Sequence, residues 1–225
     1  MDHGGQTLIV ASSAAVSSLI DSILEKTNQD GRQRRYMLGI TGSPGSGKST
    51  LSALLVDEVN KRANKIVCAL VPMDGFHMRN SKLIELGLRE LKGIPDTFEA
   101  ENFVNLLGEL AAVPRKPVSC PAFDRSIEEP VENAISVSTE QSVLVIEGNY
   151  LLLQKAPWDK IHGLLDEVWF IEANEATILP RLIERHIAGG KTMDGALDKV
   201  NSTDLPNARL IDATKSFADR IISDL

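Results

Sequence analysis

The chain has 225 residues, 43% apolar and 24% charged, with a net charge of −7: enough for one domain with a modest insertion and a real core. Its 24 basic against 31 acidic residues argue against a nonspecific nucleic-acid surface, though not against a local anion site. Sixteen glycines and ten prolines are an ordinary share, so the chain is neither low-complexity nor collagen-like, and six Phe, two Trp and two Tyr leave a mainly aliphatic core.

Taken in order, residues 1–11 read as frayed. From Ser12 or Ser13 to Lys26, Val16, Leu19, Ile20, Ile23 and Leu24 recur at helical spacing. That helix is a candidate either for covering a sheet edge or for a homodimer contact. After a polar linker over 27–35, Tyr36 to Thr41 reads as a short buried strand running into a glycine-rich turn. Leu51, Leu54, Leu55 and Val59 then share one helix face, and Ile66 to Val71 is a second strand. Residues 75–141 are mixed and polar. Val143 to Ile146 and Val168 to Ile171 are further buried strands. A helix over Ile178 to Ile187 is easiest to build from a Thr177 cap, with Pro180 in its first turn and Gly189-Gly190 at its end. Another covers Met193 to Val200, and the chain closes with an edge strand at Ala218 to Ile222. Strands alternating with helices predict an α/β layer fold with a parallel sheet.

Cys68 lies in an apolar run and Cys120 precedes Pro121 in a loop-like stretch. Two cysteines make no disulfide framework, which fits a reducing compartment. No apolar run reaches the roughly 18 residues of a membrane span, and Met1 to Gly5 lacks the basic start of a signal peptide. The expectation is a cytoplasmic protein without membrane insertion and without nucleic acid as a partner.

The sharpest feature is Gly42-Ser43-Pro44-Gly45-Ser46-Gly47-Lys48-Ser49-Thr50, which satisfies G-x-x-x-x-G-K-[ST]. Glycines let backbone N–H groups curl around a phosphate, and the helix that follows points its positive end at the same anion. Lys48 neutralises β- and γ-phosphates in such a loop, and the Ser49 hydroxyl ligates Mg²⁺. The bare pattern arises by chance in roughly one chain in a hundred of this length. Its place between a strand and an amphipathic helix is what the mechanism requires, so a nucleoside triphosphate is the expected ligand. Asp74, in Val71-Pro72-Met73-Asp74-Gly75-Phe76-His77, follows the second strand, where open α/β sheets bind ligands. A carboxylate there can accept the proton of an attacking hydroxyl, or it can cap a turn before Gly75.

Together with Val143-Leu144-Val145-Ile146-Glu147-Gly148-Asn149-Tyr150, these motifs resemble the uridine kinase, pantothenate kinase and phosphoribulokinase superfamily. Lys92-Gly93-Ile94-Pro95-Asp96-Thr97-Phe98 and Cys120-Pro121-Ala122-Phe123-Asp124-Arg125 are most similar to bacterial fructose-transport-system kinases and related nucleoside/nucleotide kinases. The resemblance runs from about Tyr36 to Ile222. It implies a P-loop fold of three layers, α/β/α, with about five parallel strands and an acceptor-binding insertion over about 75–141, the kinase domain covering 36–225 after an extension over 1–35. It also implies ATP- and Mg²⁺-dependent phosphorylation of a small-molecule alcohol. On that likeness Asp74 is the base, and Glu147 with Ser49 holds the metal. His77, Arg89, Lys92, Phe98, Asp124 and Arg125 line the acceptor. Arg181 and Arg185, four apart on one helix face, belong to a lid over 181–207; Arg185 acts in transfer, and Arg181 and Asn207 contact nucleotide. Asn201, Asp204 and Asn207 read equally well as turn and cap residues. The acceptor stays open between a sugar, a nucleoside and pantothenate, leaning to a sugar. The alternative is a regulatory or assembly ATPase that hydrolyses slowly and signals by conformation.

Overall fold

The computed structural model describes residues 6–9, 13–27 and 33–223. Most of the expected linker, 28–32, and most of the stretch expected to fray, 1–5 and 10–11, lie outside these residues. Six strands build one sheet: β1 (Gln6–Ile9), β2 (Tyr36–Gly42), β3 (Cys68–Pro72), β6 (Val143–Glu147), β7 (Glu167–Glu172) and β8 (Arg220–Ser223). Their order is β1-β8-β7-β2-β6-β3, and every neighbouring pair is parallel. The sheet therefore has one strand more than expected. Residues 6–9, read from the sequence as frayed, pair with β8, so the closing strand is internal rather than an edge. Four residues carry too little periodicity to announce a strand.

Side chains alternate between the two faces, as the pleat demands. Met37, Leu144, Ile146, Val168 and Phe170 point to a core closed by α4 (Ala100–Ala111) through Phe103, Leu107 and Leu110. Leu38, Ile40, Val143, Val145, Trp169 and Ile171 point to the other face. There α1 (Ser13–Thr27) supplies Leu19, Ile20 and Ile23, and α2 (Lys48–Ala63) supplies Leu51, Leu55 and Val59. Covering both faces is why the central strands read as continuous apolar runs. It also means that the apolar stripe of α1 is spent on its own sheet. Glu167 ties that helix down, accepting from Lys26, from the Tyr36 hydroxyl at 2.9 Å and from Trp169 Nε1 at 2.6 Å. Burial alone raises the Glu167 carboxyl, but these donors bring it below its ordinary value.

The polar stretch 75–141 holds α3 (Asn80–Glu85), α4 and an antiparallel hairpin of β4 (Val118–Asp124) and β5 (Glu129–Val137). Cys120 is thus in a strand, not a loop. Toward the C-terminus, α5 (Glu175–Ala188) starts three residues earlier than expected, because Asn174 caps it by accepting from the Thr177 N–H at 2.9 Å. Pro180 consequently lies inside the helix rather than in its first turn. Next come α6 (Met193–Lys199), a π-helical turn over Val200–Asp204 and α7 (Leu205–Asp212). A small separate core of Ile178, Leu182, Val200, Leu205 and Ala208 holds this unit together.

Arg35, last residue of the expected polar linker, is fully buried. Its guanidinium donates to four carbonyls: Gln141 at 3.1 Å, Leu110 at 3.0 Å, Lys116 at 2.7 Å and Ser138 at 2.9 Å. One side chain thereby pins the end of α4 and both ends of the hairpin beside β2. Arg35→Met leaves four carbonyls without this donor. It is expected to cost about 3 kcal/mol or more, seen in urea titration as a lower midpoint with an unchanged slope.

Candidate active site

The loop between β2 and α2 folds back on itself. Ser46 N–H donates to the Ser43 carbonyl at 3.1 Å, and Lys48 Nζ donates to the same oxygen at 2.9 Å. Gly42 has φ +142°, and a Cβ there would stand 2.5 Å from the Ile171 carbonyl of β7, so only glycine fits. α2 starts at Lys48, leaving its first N–H groups free to face an anion. The Ser46 hydroxyl is buried without a hydrogen-bond partner among the described residues, a donor suited to phosphate. Pro44 is buried in the loop, and Ser49 and Thr50 are exposed on the first turn of α2.

Register places the acids. Glu147 pairs with Ile40 of β2 and with Pro72 of β3, and Asp74 follows two residues beyond Pro72 in a short 3-10 turn, Met73–Phe76. Burial pushes the Glu147 carboxyl up, with the Lys48 ammonium pulling it back and the Ser49 hydroxyl bonded to it. Burial lowers Lys48 in turn, opposed by Glu147 and Asp74. Asp74 stays partly open to solvent, with Arg125 Nη2 at 3.1 Å and His77 Nε2 at 4.0 Å.

An aromatic wall faces Asp74. His77 stacks on Phe98 at 4.0 Å and leans on Phe123 at 5.0 Å; Phe98 continues edge-on into Tyr150 and Trp158. Burial pushes the His77 imidazole down to about 4, against the pull of Asp74, so it is neutral near pH 7. The β4–β5 hairpin lies tightly over this wall. A Cβ on Gly75 would stand 2.4 Å from the Pro121 carbonyl. Lys92 is an anchor rather than a free cation: Nζ donates to Asn80 Oδ1 at 2.9 Å and the Glu128 carbonyl at 2.7 Å, and sits over the Phe123 ring. Asp124 builds the hairpin turn by accepting from the Ser126 N–H at 2.8 Å and hydroxyl at 2.6 Å. Arg125 alone of that pair reaches the site. Arg89 is exposed in a short 3-10 turn.

On the lid side, Arg181 Nη1 donates to the Gly45 carbonyl at 3.1 Å, which puts it against the phosphate loop. Arg185 lies 3.8 Å from Asp204, and His186 Nε2 lies 2.6 Å from the same carboxylate. Asn201 is exposed. Asn207 is buried and donates to the Gly93 carbonyl at 3.2 Å. A cleft of about 600 Å³ opens beside Ser43, lined among others by Glu172, Asn174, Arg209 and Lys215. Its size suits a nucleoside. Of these residues only Glu172, at the end of a strand, had a sequence signal. The others gather from distant segments with no shared spacing.

Residues 37–225 match the model of the Phosphoribulokinase / Uridine kinase family. The chain belongs to this family. It is 31% identical over 199 residues to a candidate uridine kinase of Schizosaccharomyces pombe, covering 86% of this chain and 85% of that one. A solved candidate fructose transport system kinase from a Silicibacter species superposes with a TM-score of 0.83 at 33% identity, covering 93% of this chain and 98% of that one. A pantothenate kinase of Enterococcus faecalis is 27% identical over 151 residues, covering 67% of this chain and 49% of that one. This family member is a P-loop kinase that phosphorylates a small molecule, with ATP as donor and Mg²⁺ as its ion. Among the described residues no helix is long and apolar enough to cross a membrane.

Two outcomes follow from the wall. Gly75→Ala is expected to push the hairpin off the Asp74 turn, costing about 1–3 kcal/mol and reducing phosphoryl transfer more than ATP affinity; nucleotide titration beside turnover separates the two. His77 takes up its proton near 6.5 when unfolded and only near about 4 when folded. Between those values the unfolded state binds more protons, so stability rises with pH. Lowering the pH from 7 to 4 removes up to about 3 kcal/mol through this residue, and His77→Gln is expected to flatten that part of the pH–stability curve.

Proposed function

We propose that the chain transfers the γ-phosphate of ATP to a hydroxyl of a sugar or sugar-like polyol, ahead of a nucleoside or pantothenate as acceptor. One observation carries the reading: Asp74 stands at the carboxyl edge of β3, beside Glu147 and facing a wall of uncharged rings. The hydroxyl gives its proton to Asp74 as its oxygen attacks the γ-phosphorus. Lys48 leaves the Ser43 carbonyl for the phosphates, and Arg185 leaves Asp204 to meet the charge on the transferring group as the lid over 181–207 closes. Arg181, already on the Gly45 carbonyl, holds the phosphate loop and lid together.

Ser49 and Glu147 fit Mg²⁺. Two oxygen donors beside a phosphate cradle suit an ion that keeps waters and phosphate oxygens as its other ligands, and no cluster of three or more metal-binding side chains stands among the described residues. Held by Ser49 and Glu147, Mg²⁺ would neutralise charge that develops on the transferring phosphoryl group. The lean to a sugar is supported by an acceptor segment unlike the uridine kinase and pantothenate kinase patterns. The neutral His77 and the Phe123 ring also offer a polyol both a hydrogen-bonding nitrogen and an apolar face.

A regulatory ATPase has no use for a base that takes a proton from an acceptor. Mg·ATP consumption is measured against hexoses, pentoses, nucleosides, pantothenate and glycerate, for wild type and Asp74→Asn. One acceptor is expected to raise wild-type turnover far above the acceptor-free rate. Asp74→Asn is expected to cut that rate about 10²–10⁴-fold with nucleotide affinity nearly unchanged. Transfer by Asp74→Asn near the wild-type rate overturns the mechanism, and slow hydrolysis indifferent to every acceptor favours the regulatory reading.

A further inference from the structure

We infer that the acceptor carries an anionic group, a carboxylate or a phosphate, close to the hydroxyl that is phosphorylated, and that Arg125 binds it. The inference rests on the kinase reading above and narrows its acceptor. Arg125 sits at the tip of the β4–β5 hairpin, and its one ion pair among the described residues is with Asp74, Nη2 to Oδ2 at 3.1 Å. The backbone that carries it is held from three sides. Pro121 presses on Gly75, Lys92 grips the Glu128 carbonyl, and Glu129 Oε1 accepts from the Asn80 N–H at 3.0 Å. The side chain itself is 62% exposed. A fixed hairpin thus delivers a side chain that remains free to swing.

The charges of the reaction leave this cation without a partner. Lys48, Arg181 and Arg185 face the phosphates, and Glu147 faces the metal. Arg125 faces Asp74, and there it opposes the base. It occupies a carboxylate oxygen that the acceptor hydroxyl needs, and it must leave that oxygen before the hydroxyl can reach it. In the transfer step the acceptor oxygen bonds to the γ-phosphorus, the bond from phosphorus to the ADP oxygen breaks, and the hydroxyl proton passes to Asp74. Asp74 is then neutral, and Arg125 has lost its counter-charge. An anion on the acceptor resolves both conflicts. It draws the guanidinium off Asp74 before transfer and remains as its partner afterwards, in the paired hydrogen bonds that arginine makes with carboxylates and phosphates. A neutral polyol offers neither. Lys92 is no substitute, since Asn80 and Glu128 already hold it. Without acceptor, the same contact keeps the base occupied and restrains idle ATP hydrolysis.

The test uses the full chain with Mg·ATP and matched acceptors: glycerol, glycerate and glycerol 3-phosphate, then fructose, gluconate and fructose 6-phosphate. Wild type is expected to favour an anionic member over its neutral parent by about 10- to 100-fold in kcat/KM, the carboxylate and phosphate arms showing which anion is read. Arg125→Gln is expected to remove that preference mainly through KM, Arg125→Lys to restore part of it, and acceptor-free ADP release to rise severalfold in Arg125→Gln. A wild type indifferent to the anion, or an Arg125→Gln variant that loses neutral and anionic acceptors equally, overturns the inference. If no compound is phosphorylated, the polyol kinase reading fails separately. Calorimetric titration of glycerate and glycerol 3-phosphate into the ADP·Mg²⁺ complex then decides: binding by wild type that Arg125→Gln lacks upholds the anion site, and equal or absent binding refutes it.

Discussion

Parallel register between β2, β6 and β3 brings three functional segments to one edge of the sheet. Ile40 and Pro72 both pair with Glu147, so the glycine loop, Glu147 and the Asp74 turn leave the sheet within two residues of a common level. Parallel strands need a crossover each time the chain returns, and the first crossover is α2, whose N-terminus therefore follows the loop at once. The anion site is a consequence of this connectivity: free N–H groups, an orphaned hydroxyl and a buried lysine arrive where the strand ends. A chain with net charge −7 can bind a polyanion because the cations that matter are concentrated at this edge.

The acceptor side is built by a different device. The hairpin joins the core through Val118, Cys120 and Val137, and cations clasping carbonyls hold its ends and its turn. Arg35 gathers four of them beneath β2, and Lys92 fastens the turn of the hairpin to α3. Backbone carbonyls do not titrate and do not compete for the proton that the reaction moves. Structural cations paired with them make no demand on the carboxylates Asp74 and Glu147.

What was legible in the sequence divides along the same line. The central strands showed as apolar runs because both faces are covered, and the phosphate loop showed because each of its residue types answers one steric or charge demand. Asp74 and Glu147 stood out because strand ends at a sheet edge are where acids can reach a ligand, and the fold puts both at that edge. Arg35 was missed because its partners are carbonyls, which leave no mark on residue type. The hairpin was missed because Pro121 and Pro130 interrupt the alternation of its strands, and α1 with β1 joined the sheet through contacts that span most of the chain. Lys92, Asp124 and Asn207 had the right chemistry for a site, yet the fold uses them to hold loops. A polar side chain of given type serves either end, and only its neighbours decide.

Burial sorts the groups that remain by the charge they carry. His77, sealed between Phe98 and Phe123, stays neutral near pH 7 and forms part of the wall. Lys48 is just as buried, but it keeps company with Glu147 and Asp74, and a buried cation with an acid beside it is a preset partner for phosphate. Arg125 is the opposite case. It is permanently charged, exposed, and attached to a rigid tip, so its energy depends on which anion it can reach. The site thus holds one imidazole that burial keeps neutral, one buried ammonium opposed by acids, and one exposed guanidinium. Of the three, the exposed guanidinium is the one whose pairing with Asp74 would change on the proposed mechanism.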